Sequence, residues 1–423
     1  MNRSSTKHYQ RVNLGEVAMP ICVAATDGNH LIDVEGNRYL DFCSGSGVAN
    51  AGWNRVEVRE AVRNQLDKLT YCAPWYPTEE AIELSELLLS ICPDHLTRCG
   101  RATGGADANE LVYRAAYKKT GKSGTLSLSR AYHGGTRLMV NMSDADAFRL
   151  PRVPLLQECH LARAPHSLSC SFSSCCNLSC VGEFERVLEL NDNIGLFLCE
   201  PILGSGGVIV PPDGYLKTVR ELCRKHDIVF ALDEVITGFG RAGHMTLSEY
   251  WKLEPDAITF GKGMGGGTVP IGAAVVSDEL AESLVKWEDV SPTFAWTPLA
   301  CAAATANINL IQDEDLCDRS RTAGATLMAA VNDLFERYLP DHIGEIRGMG
   351  LMIGIELVTD RESMDPAFSL MRRLTIALVR SGLMIKVSWD FRVLIFMPPL
   401  NISDDDLAFA LNLLEKQLST LSR

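Results

Sequence analysis

This chain lacks any apolar stretch long enough to cross a bilayer, and residues 1–10 contain no apolar segment typical of a secretory leader. We therefore expect a cytoplasmic protein. Positive charge is also scarce, since 40 Lys and Arg stand against 53 Asp and Glu, for a net charge of -13. This acidic balance disfavours a nucleic acid or an anionic membrane as a partner, because phosphate groups would repel it.

The chain also lacks an internal repeat and a long linker. With 423 residues, 46% hydrophobic and 22% charged, it is too long for one small core and too apolar to be disordered. From Thr125 onward, strand-like runs alternate with helical segments, which predicts an α/β domain with a mostly parallel sheet. We expect an N-terminal segment (residues 1–52) packing with a small α+β domain (313–423), and a large domain between them (53–312).

Cysteine is not scarce, with 14 residues, but its spacing lacks the paired pattern of a zinc site. Cys170, Cys175, Cys176 and Cys180 lie in a serine-rich stretch with irregular gaps, which favours a loop of reduced thiols over a bound metal. Many other cysteines lie inside apolar runs, as is typical of buried thiols in a reducing compartment. We therefore expect no metal ion.

Two apolar runs end in side chains of complementary chemistry. Residues 228–233 end in Asp233, and residues 258–262 end in Lys262, which lies between two glycines. Taken alone, such an acid often only caps the next segment, and such a lysine often lies in a solvated turn. In parallel strands of one sheet, however, the two would meet at the same edge. They suit pyridoxal 5'-phosphate, because lysine condenses with its aldehyde and a carboxylate keeps its pyridine nitrogen protonated.

Further segments support this cofactor. Gly104 and Gly105 begin a predicted helix, and amides at a helix start can bind a phosphate, although an ordinary capped helix is an equal alternative. Tyr132 and Val235 could pack on the two faces of a flat ring, although a buried structural tyrosine is commoner. Residues 291–298 form a predicted loop before an alanine-rich helix.

In order and character these segments resemble the class III pyridoxal-phosphate aminotransferases, the family of ω-amino-acid and ornithine transaminases. The resemblance extends from residue 33 to residue 403, and its most specific parts are residues 230–241 and the glycine-flanked Lys262. It implies the α/β architecture of fold-type I, with a mostly parallel, seven-stranded type of sheet in the large domain and a smaller α+β domain. It also implies a homodimer with shared active sites.

The resemblance implies roles for individual residues. Lys262 would form the Schiff base with the cofactor and later move the proton, and Asp233 would pair with the pyridine nitrogen. Thr293 would reach the phosphate in the neighbouring subunit. The residues implied at the cofactor are Gly105, Ala106, Tyr132, His133, Glu200, Asp233, Val235, Lys262 and Thr293.

Departures from the family bear on the cofactor and the substrate. Ala106 stands where most members carry Ser or Thr, so one hydroxyl contact to the phosphate is missing and weaker cofactor binding is expected. Ser205 and Ile395 stand where ornithine-type members have a Glu and an Arg that gate dicarboxylic substrates, and losing both leaves no unpaired buried charge. We expect an amine or ω-amino acid as donor, and pyruvate rather than 2-oxoglutarate as acceptor.

Two groups of side chains are candidates for the substrate pocket. Three aromatic residues could line an apolar pocket, or equally pack in the core or an interface: Trp53, Trp75 and Tyr76. Three basic residues could replace the missing arginine: Arg392, Arg347 and Lys386.

Other functions stay open at this point. An epimerase, an aminomutase or a decarboxylating transaminase would use the same fold and the same chemistry. A nucleotide-binding enzyme is disfavoured, because residues 204–207 lack the full glycine spacing and Lys262 lacks the rest of a phosphate-binding loop. A scaffold without catalysis is disfavoured while both Lys262 and Asp233 are present.

Overall fold

The computed structural model describes residues 21–144, 158–166, 179–284 and 292–422, arranged around a seven-stranded sheet. In chain order the strands are β1 (Val23–Asp27), β2 (His30–Asp33), β3 (Arg38–Asp41), β4 (Leu96–Ala102), β5 (Gly124–Leu128), β6 (Cys159–Ala162), β7 (Ile194–Cys199), β8 (Val229–Asp233), β9 (Ala257–Phe260), β10 (Gly272–Ser277), β11 (Ile343–Gly348), β12 (Ile353–Leu357), β13 (Leu383–Met384), β14 (Lys386–Val387) and β15 (Val393–Phe396). The helices are α1 (Val56–Lys68), α2 (Glu79–Ser90), α3 (Gly105–Thr120), α4 (Arg137–Met142), α5 (Ser179–Leu190), α6 (Tyr215–Lys225), α7 (Leu247–Tyr250), α8 (Asp278–Glu282), α9 (Pro298–Asp313), α10 (Leu316–Tyr338), α11 (Phe368–Arg380) and α12 (Asp404–Leu421).

The central sheet has the strand order β4-β10-β9-β8-β7-β5-β6. β10 runs antiparallel to both of its neighbours, and the other adjacent strands pair in parallel. The inner strands β7, β8 and β9 are buried at every residue, which explains their continuous apolar sequences. These findings confirm the predicted α/β fold with a mostly parallel, seven-stranded sheet.

The direction of the strands decides where loops converge. Because β4 and β9 are both antiparallel to β10, β4 points the same way as β9, β8, β7, β5 and β6. The carboxyl ends of all these strands therefore lie at one edge of the sheet. That edge carries the residues that follow each strand, including Thr103, Tyr132, Glu200, Asp233 at the end of β8, and Lys262.

Two smaller sheets accompany the central one. β11, β12, β15 and β14 form an antiparallel sheet on which α10 and α11 pack, with α12 against both helices. β2 and β3 form an antiparallel hairpin, and β3 pairs in parallel with β13 through Leu40 and Leu383. The N-terminal hairpin therefore shares a sheet with a strand from near the other end of the chain.

Side-chain caps fix several helix ends. Thr78 Oγ1 accepts a hydrogen bond from the amide of Ala81 at the start of α2, and Ser403 Oγ accepts one from the amide of Asp406 at the start of α12. At the end of α3, Gly121 adopts the left-handed conformation with a φ of 70°, as is common after a helix.

Five strands were not predicted: β4, β6, β11, β13 and β14. β4 and β6 are the two edges of the central sheet, and most of their residues are only partly buried. An edge strand need not be apolar on both faces, so its sequence lacks the continuous hydrophobic run that marks an inner strand.

Within the ranges described above, each helix is too short or too polar to span a lipid bilayer. Cys170, Cys175 and Cys176 lie outside those ranges, so the expected loop of reduced thiols is not described. Cys180 is a half-buried cysteine in α5, so at this position the expected loop is wrong and the chain is helical.

Candidate active site

Asp233 is buried at the end of β8 and is surrounded by donors. Its Oδ2 accepts a hydrogen bond from Asn109 Nδ2 at 2.9 Å and lies 2.8 Å from His133 Nδ1. Its Oδ1 accepts from the amide of Val235 at 3.1 Å. The carboxylate is therefore fixed in one orientation, with groups from three different segments of the chain around it.

Asn109 is a site residue that sequence analysis assigned no role. It lies on the buried face of α3, and its Oδ1 accepts a hydrogen bond from Thr259 Oγ1 at 2.6 Å while its Nδ2 donates to Asp233. Its neighbours on that face are apolar. A polar residue among them was the one feature of the sequence that could have indicated a role for Asn109.

Lys262 follows β9 and begins a 3₁₀ turn, Lys262–Gly265. Both flanking glycines are required by close packing: a Cβ on Gly261 would lie 2.9 Å from the amide nitrogen of Gly105, and one on Gly263 would lie 2.6 Å from Asn50 Nδ2. Among the described residues, none makes a hydrogen bond or an ion pair with Lys262 Nζ.

The electrostatic surroundings favour a reactive amine at Lys262. Burial lowers the pKa of Lys262, and the negative charges of Asp233 and Glu200 only partly oppose this effect. A lowered pKa leaves more of the amine neutral at physiological pH, and the neutral amine is the nucleophile.

Glu200 is buried directly after β7 and joins two loops. Its Oε1 accepts from the amide of Tyr132 at 2.9 Å, and its Oε2 accepts from the amide of Gly204 at 2.9 Å. Burial and the nearby charge of Asp233 raise the pKa of Glu200 to about 6, although His133 and the two amides act in the opposite direction. Glu200 therefore positions the loop that carries Tyr132.

The start of α3 can receive an anion. Among the described residues, none accepts a hydrogen bond from the amides of Gly105, Ala106 and Asp107. A Cβ on Gly104 would meet nothing within 4 Å, so space is open there, whereas a Cβ on Gly105 would lie 2.6 Å from Val235 Cγ2. Free amides at the positive end of a helix dipole suit a phosphate group.

The aromatic candidates occupy different positions. Trp53 is half-buried, and its Nε1 donates to Asp41 Oδ2 at 2.9 Å. Trp75 and Tyr76 are 60% and 59% exposed. Thr293 is also exposed, next to Phe294, whose ring lies 5.4 Å from that of Tyr71. Of the three aromatic candidates, Trp53 alone is partly buried by its own chain.

Two of the three basic candidates lie in different environments. Arg392 is exposed and pairs with Asp390 at 3.3 Å. Arg347 is buried, and its guanidinium donates to Glu345, to Glu356 and to the carbonyls of residues 207 and 208. The Arg347 guanidinium is therefore already occupied by acceptors, whereas that of Arg392 lies at the surface and, among the described residues, is paired through its Nε alone.

Lys386 is the basic candidate that the structure brings near Lys262. It lies on β14 directly opposite Ile395, and its Nζ donates to Ser46 Oγ at 2.9 Å. Burial and the charge of Lys262 lower the pKa of Lys386 to about 8. A cation is thus present one strand away from Ile395.

A second buried cluster lies apart from these residues. His166 Nε2 is 3.1 Å from Glu356 Oε2 and 4.0 Å from Glu345 Oε2. These three side chains are close enough together to hold a metal ion. However, Arg347 Nη1 lies 2.6 Å from the Glu356 carboxylate and 2.8 Å from that of Glu345. The guanidinium already supplies the positive charge, so we interpret the cluster as an ion-pair network.

Comparison with known proteins identifies the family. The profile described as Aminotransferase class-III matches residues 12–418. The chain belongs to the class III aminotransferases. This aminotransferase is 32% identical over 414 residues to an adenosylmethionine-8-amino-7-oxononanoate aminotransferase of Nitratidesulfovibrio vulgaris, covering 92% of the chain and 75% of the relative. It is 31% identical over 407 residues to a leucine/methionine racemase of Thermococcus litoralis, covering 95% and 91%.

Among solved structures, the aminotransferase is similar to an amine transaminase from an uncultivated Pseudomonas species in the PLP-bound, internal aldimine form. The TM-score is 0.88 at 30% identity, and the match covers 96% of this chain and 97% of the other. The architecture is therefore that of a fold-type I enzyme, and the cofactor is pyridoxal phosphate. The residues present fit this cofactor, since one sheet edge offers an amine, a carboxylate and the free amides of a helix start. His133 Nε2 is also buried there without a partner among the described residues.

Proposed function

We propose that this class III aminotransferase moves an amino group from an amine or an ω-amino acid to a 2-oxo acid, with pyruvate favoured over 2-oxoglutarate. The observation that carries the proposal is the partly buried amine of Lys262, without a hydrogen-bond partner among the described residues, at the same sheet edge as Asp233. When bound, pyridoxal phosphate takes up the amino group at its aldehyde carbon and withdraws electrons from the bonds of the substrate carbon.

In this proposal the residues of the chain divide the work. Lys262 would bind the cofactor covalently and, once released, would move a proton from the substrate carbon that bears the nitrogen to the former aldehyde carbon of the cofactor. Asp233 would hold the pyridine nitrogen of the cofactor, and Tyr132 and Val235 would pack on its ring. The free amides at Gly105 and Ala106 bind the phosphate.

The preference for pyruvate rests on the number of cations near Lys262. Ile395 is fully buried in a cluster that includes Ile236 and Met352, where a charged side chain would be costly. Lys386 lies opposite it and supplies one positive charge to one carboxylate. Pyruvate has a single carboxylate, whereas 2-oxoglutarate has two and would leave one without a partner.

The proposed cycle has two half-reactions, in a ping-pong order, because the holoenzyme keeps the amino group after the first product leaves. Candidate amines and ω-amino acids are added singly to the holoenzyme without any oxo acid, and its visible absorbance is recorded. We expect at least one donor to bleach the absorbance and pyruvate to restore it, with Lys262→Ala as the inactive control. If no donor of any class bleaches the holoenzyme, transamination is the wrong function.

We also propose a cytoplasmic homodimer with shared active sites. Exposed aromatic side chains, including Trp75, Tyr76 and Phe294 at 60%, 59% and 69% exposure, are costly in water and suit an interface. Thr293 lies among them and would reach the phosphate in the other subunit. Light scattering should give a dimer mass, and Thr293→Ala should weaken cofactor binding without dissociating the dimer; a monomeric holoenzyme with full activity would contradict this part of the proposal.

The similarity to a leucine/methionine racemase favours amino-acid racemisation or epimerisation as the second candidate. Such a reaction would use the same amine of Lys262, but the amino group would stay on the same molecule. Chiral chromatography of single amino acids incubated with holoenzyme, without an oxo acid, distinguishes the two. Racemisation at a rate comparable to any transamination would make this second candidate the better one.

A further inference from the structure

A hairpin of the smaller antiparallel sheet carries Lys386 at its base. β14 and β15 pair with Lys386 opposite Ile395, and the amide of Ser388 donates to the carbonyl of Val393 at 2.8 Å. Residues 388–392 form the tip of this hairpin. Since Lys386 is close enough to Lys262 for their charges to interact, the base of the hairpin lies beside the active site.

Hydrogen bonds give the tip a defined shape. Ser388 is buried, and its Oγ donates to Asp390 Oδ1 at 2.6 Å and accepts from the amide of Val393 at 3.0 Å. The amide of Phe391 donates to the carbonyl of Ser388 at 2.9 Å. The direction of each side chain in the tip is therefore constrained.

An ion pair joins the tip to the central domain. Asp390 Oδ2 accepts from Arg130 Nη2 at 2.9 Å, and Arg130 Nε donates to the carbonyl of Gly206 at 2.9 Å. The two charged side chains are 18% and 35% exposed, so the pair is better shielded than a surface ion pair. Arg130 lies two residues before Tyr132, so the tip is held against the loop that borders the cofactor.

This attachment places Trp389 next to Tyr132. Their ring centroids are 6.2 Å apart, with an angle of 33° between the planes. Tyr132 is half-buried, whereas Trp389 is 50% exposed. The two rings form a continuous aromatic surface that leads from the buried sheet edge to solvent.

We propose that Trp389 forms an aromatic wall at the mouth of the active site, and that this wall selects amino donors carrying an aromatic or extended apolar group. The inference rests on the proposed function, because it takes Tyr132 to border the cofactor. In this proposal the donor ring stacks on Trp389 beside Tyr132, and stacking adds to the free energy of burying an apolar group. Asp390 and Arg130 act as positioning residues for the wall.

The test compares aromatic with small donors in the holoenzyme. Steady-state kinetics with pyruvate are measured for benzylamine and for propylamine in wild type, Trp389→Ala, Trp389→Phe and Phe391→Ala. We expect Trp389→Ala to lower the ratio of kcat/KM for benzylamine over propylamine by about tenfold, mostly through KM. Trp389→Phe should restore most of the ratio. Phe391 lies in the same tip and is 58% exposed, so Phe391→Ala is the matched control and should leave the ratio unchanged.

A binding measurement separates this inference from the proposed function. N,N-dimethylbenzylamine and N,N-dimethylpropylamine are tertiary amines that cannot condense with an aldehyde, so titration calorimetry reports their binding without turnover. We expect Trp389→Ala to raise the dissociation constant of the aromatic ligand about three- to tenfold, and Asp390→Asn to raise it less. If Trp389→Ala raised the dissociation constants of both ligands equally, or changed neither, the proposed aromatic wall would be wrong. A wild-type enzyme that binds the aromatic ligand through Trp389 but transfers no amino group would refute the function alone.

Discussion

At the scale of single residues, the charged groups of the site differ in how many hydrogen bonds they make. Asp233 has donors on both of its oxygens, whereas Lys262 Nζ has no hydrogen-bond partner among the described residues. Glu200 is buried with two amides on its carboxylate. One acid is held still, one amine is left free, and a second acid fixes a loop, which is an arrangement suited to a covalently bound cofactor.

Asp233→Asn tests the role of the charge at that position. The amide has nearly the same shape but cannot keep a pyridine nitrogen protonated, so we expect kcat to fall by about a hundredfold to ten-thousandfold. The holoenzyme should still acquire visible absorbance, because Lys262 is unchanged. Steady-state kinetics and absorbance spectra provide the measurement, and a kcat within about twofold of wild type would contradict the assignment.

Lys386 predicts a pH dependence for the acceptor. Its pKa is lowered to about 8, so it is charged below that pH and becomes neutral as the pH rises through it. The KM for pyruvate should therefore rise by up to about tenfold between one unit below and one unit above this pKa, as the charged fraction of Lys386 falls about tenfold and a charge-assisted hydrogen bond is lost. Lys386→Arg keeps its charge over this range and should show a flat KM. The same rise in both proteins would rule out Lys386 as the cause.

At the scale of secondary-structure elements, the loops after the parallel strands are packed so closely that only glycine fits at several contacts. A Cβ on Gly206 would lie 2.1 Å from the carbonyl oxygen of Arg130, and one on Gly105 would lie 2.6 Å from Val235 Cγ2. These contacts join the loop after β7 to the loop after β5, and the start of α3 to the residues after β8. The geometry of the site therefore depends on backbone contact between elements.

Gly206→Ala should disturb this contact. Because the added methyl group meets backbone rather than a flexible side chain, the loop must shift, and we expect a loss of about 1–3 kcal/mol in the free energy of unfolding together with reduced kcat/KM. Gly182→Ala is the matched control, since its Cβ would meet nothing within 4 Å in the interior of α5. That variant should be neutral or slightly stabilised. Urea unfolding and kinetics of both proteins check the prediction, and two indistinguishable variants would refute it.

At the scale of the whole molecule, two buried guanidinium groups join distant parts of the chain. Arg241 donates to the carbonyls of Leu351 and Pro398, and also to Ser44 Oγ and Asn50 Oδ1. Burial lowers the pKa of Arg241 to about 9, and the charge of Asp41 acts against this. Arg347 joins the C-terminal sheet to the loop at residues 207 and 208. The active-site loops are therefore fixed by contacts from both ends of the chain.

Glu356→Gln tests the network around Arg347. Burial alone would raise the pKa of Glu356, but hydrogen bonds and charge from His166 and Arg347 lower it from 4.5 to about 2. A pKa that is lower in the folded state stabilises the protein above pH 4.5, and this stabilisation is lost as the pH falls toward 2. We expect the substitution to cost on the order of 3 kcal/mol near neutral pH.

The cost of Glu356→Gln should shrink as the pH falls below 4.5, which urea unfolding at several pH values measures. The exposed pair of Arg361 and Glu336 supplies the control, because Glu336→Gln should change the free energy of unfolding by less than about 1 kcal/mol. A difference between Glu356→Gln and wild type that stays constant with pH would show that packing, rather than charge, is responsible.

The sequence by itself determined the α/β class and the inner strands, and it predicted that Asp233 and Lys262 lie at one edge of the sheet. Inner strands such as β8 and β9 are buried on both faces and must be apolar, so their carboxyl ends, where the acid and the amine lie, can be found without coordinates. The edges β4 and β6 lack that constraint, and they were missed.

Tertiary structure alone decided which other side chains join the site. Asn109 reaches Asp233 across 124 positions of sequence, Arg130 reaches Asp390 across 260, and Lys386 reaches Ser46 across 340. Local propensity contains no information about such pairs, because they depend on how helices, loops and sheets pack together. Backbone packing likewise decides that Trp389 lies beside Tyr132, where a solvent-exposed ring can contact a substrate.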